Sequence, residues 1–161
     1  MFKNQKLFFS LPLTISGLLM LVLGSRWMIV DEPWLLDKVA NEERLRITFE
    51  ELFDADINKT LPDYLKQIYR FFGLWVSSLG LFIVLFSRPI LIVDKRVRIT
   101  LLICSGVMIY SGLILGYALI PKSPFIYLGW CLIILHLISS YNHKVFKKFK
   151  KIIIYLNILI V

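Results

Sequence analysis

Charged side chains are scarce in this sequence and unevenly spread. Asp, Glu, Lys and Arg make up 19% of 161 residues, against 58% hydrophobic residues. Soluble domains are roughly 45–50% apolar, so a water-soluble globule of this size has too little interior to hide such a chain. Only two cysteines are present, and no CxxC, which removes disulfide scaffolds, dithiol relays and zinc ribbons. No HExxH, GxSxG or Gly-rich phosphate loop occurs, so the usual metalloprotease, acyl-transfer and nucleotide signatures are missing. Disorder, collagen and coiled coil do not fit the composition either. With a mean hydropathy of +0.73, the class that remains is an integral membrane protein.

The charges that are present mark out the spans. Between Lys6 and Arg26 lie 19 residues without Asp, Glu, Lys or Arg. Between Arg70 and Arg88 there are 17, between Arg98 and Lys122 there are 23, and between Lys122 and Lys144 there are 21. A helix needs about 20 apolar residues to cross roughly 30 Å of hydrocarbon. Backbone in lipid must satisfy its own hydrogen bonds, and none of these runs alternates as a barrel strand does. Spans are therefore expected near 7–25, 71–87, 99–120 and 124–141. Lys3, Lys6 and the small residue Gly24 give the first run some features of a signal peptide, but its apolar stretch is too long for one, so it reads as an uncleaved anchor.

Basic residues favour the cytoplasmic side. With both ends inside, the inner segments carry 11 basic residues against the single acid Asp94, and the outer segments carry eight against ten acids. The expectation is N-in and C-in, in the plasma or inner membrane. The basic balance then reflects topology, and no nucleic-acid partner is expected.

Residues 26–70 form the one long polar stretch. Leu45, Phe49, Leu52 and Phe53 share a helical face, and Thr48-Phe-Glu-Glu51 reads as a capping box at which the helix breaks. Asp31-Glu32-Pro33 and Thr60-Leu-Pro-Asp63 read as helix starts, the second running straight into span two. The segment is expected to lie over the outer mouth, with Trp27 and Trp34 at interface depth. It is either a lid or a plain connector. Asn58-Lys59-Thr60 fits the common glycosylation pattern. The tail 144–161 reads as a basic amphipathic cytoplasmic helix on anionic lipid, or as an extension of span four whose lysines enforce topology.

Chemistry inside the spans is sparse. No span contains an acid, which argues against a carboxylate-based proton-coupled transporter. Cys104 and Cys131 are expected at depths about 10 Å apart, too far for a disulfide, and read as small buried hydrophobes. His136 is the intramembrane polar candidate; its plainer role is a neutral hydrogen bond to a neighbouring helix. Gly112 and Gly116 form a GxxxG pattern, and Gly73 with Ser77 gives small-xxx-small, both suggesting helix packing. The alternative for these glycines is room for a flat ligand. Arg26 ends span one and Arg70 opens span two, so an anion-binding site at the outer mouth is expected from Arg26, Arg70 and Trp75. Its competing reading is an internal salt bridge to Asp31, Glu32, Asp37 or Asp63.

Tyr69-Arg70-Phe-Phe-Gly73 followed by Leu79-Gly80-Leu81 resembles the R-x-x-G…G-L helix opening of DoxX-like small four-helix membrane proteins. The likeness covers about a dozen residues and the four-span layout. It implies a small antiparallel bundle and a lipid-soluble ligand. Some members of that group are similar to subunits accompanying quinone-linked oxidoreductases. It supplies no catalytic residues. The expected fold is thus all-α, an integral membrane four-helix antiparallel bundle over 1–143 with an extracytoplasmic amphipathic helical segment. Three functional classes stand: a non-enzymatic partner- or lipid-binding protein, a subunit of a quinone- or lipid-linked oxidoreductase, and a small transporter or channel. No metal is expected, and quinone or lipid is the only cofactor class suggested. Membrane lipids, another membrane protein or a second copy are the partners to consider.

Overall fold

In the computed structural model, backbone is described for residues 2–159 and side chains for residues 6–143. Among the described residues there is no strand. The long helices are α1 (Phe2–Ile29), α4 (Leu61–Phe86), α5 (Lys95–Leu119) and α6 (Phe125–Leu159), with short α2 (Lys38–Leu45) and α3 (Phe49–Asp54) in the connector between α1 and α4. Among the described residues, four stretches are long and apolar enough to cross a membrane: Lys6–Ile29, Asp56–Phe86, Lys95–Leu119 and Phe125–His143. This is compatible with a small multi-pass membrane protein. Their outward faces agree, since Val22, Val107 and Ile114 are 68%, 65% and 69% exposed, a waste of apolar surface in water but not in lipid. The basic tail, with its expected apolar face, lies outside the residues whose side chains are described.

Helices α1 and α4 make the closest pair, and glycine is the reason. A Cβ built on Gly17 would stand 2.7 Å from the Gly80 carbonyl oxygen, and one on Gly73 would stand 2.5 Å from that of Gly24. The pairing runs Gly17 to Gly80 and Gly24 to Gly73, so the helices are antiparallel. On each helix the two glycines are seven residues apart, almost two full turns, and so lie on one stripe. Small residues let backbones touch where lipid offers no hydrophobic drive for association.

Helix α6 packs on the far side of α1, where the Ser139 hydroxyl donates to the Phe9 carbonyl at 3.0 Å. Helix α5 packs on α6. The spatial order is α4, α1, α6, α5, and α4 touches α5 only sparingly. At the end bearing the α4–α5 loop, Phe9, Leu13 and Ile92 are fully buried. There the buried Arg98 donates to the carbonyls of Ile92 and Val93, at 2.5 and 2.9 Å. Those carbonyls belong to the turn before α5 and would otherwise lack a helical partner.

The connector breaks where the sequence indicates. Helix α2 stops at Arg46, whose φ of 60° is left-handed. Thr48 then starts α3 with both halves of a capping box in place. Leu45 ends up before the break and 47% exposed, so the expected continuous apolar face is interrupted. Instead Trp34 packs on Phe49 and Phe53, with ring centroids at 6.3 and 5.3 Å. Trp27 and Trp34 are both buried. Trp34 ties the two parts of the connector together and Trp27 packs among α1, α4 and α6, so neither sits at an exposed interface. Asn58 donates its side-chain amide to the Leu52 carbonyl at 2.8 Å, closing the turn before α4.

Candidate functional site

The connector closes over a cavity of about 360 Å³ between the helices. That lies within the roughly 300–1,000 Å³ typical of small-molecule sites. Its floor is apolar, formed by residues such as Met20, Met108, Leu113 and Leu132. Its polar lining comes from Trp27, Asp37, Asn41, Tyr69 and Ser123. Trp27 is wedged between Phe72 and Phe125, with both ring centroids at 5.0 Å.

Each polar residue arrives by a local rule. Pro33 opens a short 3-10 turn, Pro33–Asp37, which drops Asp37 between the helices. Ser123 follows the Pro121 turn after α5. Its hydroxyl donates to Asp37 Oδ2 at 2.9 Å and accepts the Phe125 backbone N–H at 3.2 Å. One turn after Asp37, Asn41 donates to the Tyr69 hydroxyl at 3.1 Å.

Two groups in this lining stay unsatisfied. Asp37 Oδ1 and Trp27 Nε1 are buried without a hydrogen-bond partner. Each such group costs about 1–3 kcal/mol, and both belong to residues that line the cavity. Burial raises the Asp37 carboxyl above its ordinary value, and the Ser123 bond opposes that shift only in part. The folded state therefore holds the Asp37 proton to higher pH than the unfolded chain does. Stability from this group is greatest below the ordinary value of 3.8 and falls as pH rises through the raised folded value. Asp37→Asn keeps an acceptor for Ser123 and removes the charge. Thermal melts in detergent from pH 4 to 8 are expected to show Asp37→Asn more stable than wild type at neutral pH. The difference should vanish toward pH 4; a variant less stable at neutral pH would contradict this.

Trp75, Arg26 and Arg70, the residues expected to form an anion site, are all exposed, and Trp75 and Arg26 lie off the α1–α4 contact. Gly73, Ser77 and Gly80 are buried toward α1, and Trp75 leaves the opposite side of α4, 57% exposed, edge-on to Phe71 at 5.9 Å. Arg26 follows Gly24 by about 200° of helix turn and is exposed. It therefore faces away from α4. Arg70 is exposed as well, and neither arginine has a carboxylate within salt-bridge distance among the described residues. It is Lys66 that takes Asp31, at 2.9 Å, holding that carboxyl below its usual range, with a lesser contribution from Arg70.

His136 is buried between α5 and α6. Its Nε2 donates to the Leu102 carbonyl at 3.0 Å, and its Nδ1 lies 3.0 Å from the Tyr110 hydroxyl, which donates to it in the neutral ring. Gly106 makes the room: a Cβ there would meet the imidazole at 3.1 Å. Leu102, Gly106 and Tyr110 recur every fourth residue and form the socket. The arrangement uses both ring nitrogens and leaves none for a metal. Among the described residues no group of three metal-ligating side chains occurs.

The glycines divide. Gly73 carries the α1 contact, whereas a Cβ on Gly112 would meet nothing within 4 Å, and Gly112 lines the cavity. Gly116 receives the Ile126 side chain, 2.9 Å from a built Cβ, so α5 and α6 mesh through side chains there and not backbone to backbone. Cys104 and Cys131 are both exposed and free, so they do not fill the core. Comparison with protein-family models, with curated proteins and with solved structures gave no match to the chain.

Proposed function

We propose that this chain is a non-enzymatic membrane protein that binds one amphipathic, lipid-soluble molecule beneath the connector. The observation that carries this reading is the cavity beneath the connector, lined by Trp27 and Asp37, each of which has a buried polar atom without a hydrogen-bond partner. A polar head that reaches either group recovers its cost, while an apolar tail takes the floor. In this reading the connector is a lid on the outer face, and both chain ends are cytoplasmic. The charge partition of the loops supports that orientation.

A second reading has one observation in its favour. Tyr69 also lines the cavity, and a phenolic head with two oxygens suits a site lined by several polar side chains. That is the chemistry of a quinol, and it agrees with the DoxX-like resemblance and with a subunit of a quinone-linked oxidoreductase.

The test is extraction of protein purified in mild detergent, followed by mass spectrometry of the released small molecules. Wild type is expected to yield one hydroxyl-bearing or quinol-type molecule in near-equal amount to the chain. Trp27→Phe keeps the ring between Phe72 and Phe125 but removes the donor, and should cut the yield about tenfold, as loss of one buried hydrogen bond does. No stoichiometric molecule from wild type, or the same yield from Trp27→Phe, would overturn the reading.

A further inference from the structure

The sparse contact between α4 and α5 leaves a second hollow, about 370 Å³, which meets the first only at Met108. Its walls are Leu79, Phe82 and Phe86 on one side and Val97, Leu101 and Cys104 on the other, with Met108 at its far end. Arg96 stands at its other end. From Arg96 to Met108 helix α5 rises about 18 Å at roughly 1.5 Å per residue. One leaflet of a bilayer offers about 15 Å of hydrocarbon. The groove is therefore as long as a single acyl chain's leaflet, apolar along its length and cationic at one end.

The charge at that end is unspent. Arg88, Lys95 and Arg96 are exposed there. Among the described residues none of them has a carboxylate within salt-bridge distance. The nearby acid, Asp94, is engaged instead with the Arg96 backbone N–H at 2.7 Å. Guanidinium matches phosphate geometry with paired donors.

We propose that the α4–α5 groove is a binding site for an anionic phospholipid, with its phosphate on Arg96 and one acyl chain lying along Leu79, Phe82 and Leu101. The site rests on membrane insertion but not on the ligand beneath the connector. Under the orientation given above it belongs to the cytoplasmic leaflet, which is the anionic one. Occupation completes the α4–α5 side of the helix assembly, the one adjacent pair that protein contacts leave open.

Reconstitution into nanodiscs with equal phosphatidylglycerol and phosphatidylcholine, followed by native mass spectrometry after detergent release, tests this. Wild type should retain phosphatidylglycerol over phosphatidylcholine about fivefold or more, the size expected of one basic residue at an anionic surface. Arg96→Gln should bring the two lipids to near-equal retention, and Arg96→Lys should restore part of the preference. Lys122→Gln, at the opposite end and paired with Glu43 at 2.8 Å, should leave it unchanged. Equal retention by wild type, or a preference untouched by Arg96→Gln, overturns the proposal. If Arg96→Gln fails to fold, Cys104→Trp, which blocks the groove from an exposed position, must lower total retained lipid, and unchanged retention overturns the proposal. Failure of the chain to enter nanodiscs at all is a separate outcome and would overturn membrane insertion itself.

Discussion

Gly73→Leu is expected to abolish the folded protein. The first side-chain carbon alone would lie 2.5 Å from the Gly24 carbonyl oxygen and 3.0 Å from Trp27 Cβ. The obstructing atoms are backbone and the root of a buried side chain, so no rotamer change makes room. Overpacking where a core can adjust costs about 1–3 kcal/mol. Here the whole of α1 must move off α4, and the cost should exceed that range, against a total stability on the order of 5–15 kcal/mol. Gly24→Leu should behave alike, since its Cβ would collide with Ser77 and with the Gly73 carbonyl. The readout is a thermal melt and size-exclusion profile in mild detergent. A Gly73→Leu protein that elutes and melts like wild type would mean that α1 and α4 are not in backbone contact.

Gly112→Leu is the same chemical change with the opposite expected result. No atom lies within 4 Å of a Cβ at this position, because Gly112 faces the cavity beneath the connector. The new side chain fills empty apolar space. The ligand-free melt should match wild type or rise slightly. Ligand retention should fall by about 100-fold or more, ~2.8 kcal/mol, because the isobutyl group takes the volume the ligand needs. A melt lowered as far as that of Gly73→Leu would place Gly112 in a helix contact and remove the cavity from the account.

These two glycines show what was legible in the sequence. The four helices were, because charge spacing reports the length of apolar runs directly. So was the break at Thr48, because a capping box is a local signal. The contact at Gly73 was readable from its small-residue spacing with Ser77. Its partners Gly17 and Gly24 share a seven-residue interval with Gly73 and Gly80, and matching those two intervals is the signal that identifies the pair. Gly112 and Gly116 carry an equally good local pattern. What decides their role is what α6 sets opposite them, Ile126 against Gly116 and nothing against Gly112, which no local pattern encodes. The Asp37–Ser123 bond joins residues 86 positions apart. It depends on how the connector folds back, so composition alone could only place Asp37 among acids available to an arginine. His136 stands out in the sequence as the polar group within an apolar run, but Gly106, which makes its socket, carries no pattern of its own. The exposure of Cys104 and Cys131 likewise follows from helix rotation, which a near-uniform apolar sequence leaves unspecified.

Burying Asp37 with one oxygen unpartnered lowers stability at neutral pH, and a protein retaining such a group trades stability for something else. In this account it trades it for ligand binding. Native mass spectrometry of wild type and Gly112→Leu, released side by side from the same mild detergent, tests that claim most directly. The account predicts a wild-type population carrying one bound small molecule that is neither phospholipid nor detergent, and a folded Gly112→Leu population without it. A bare wild-type mass, or the same bound mass on both proteins, would contradict it.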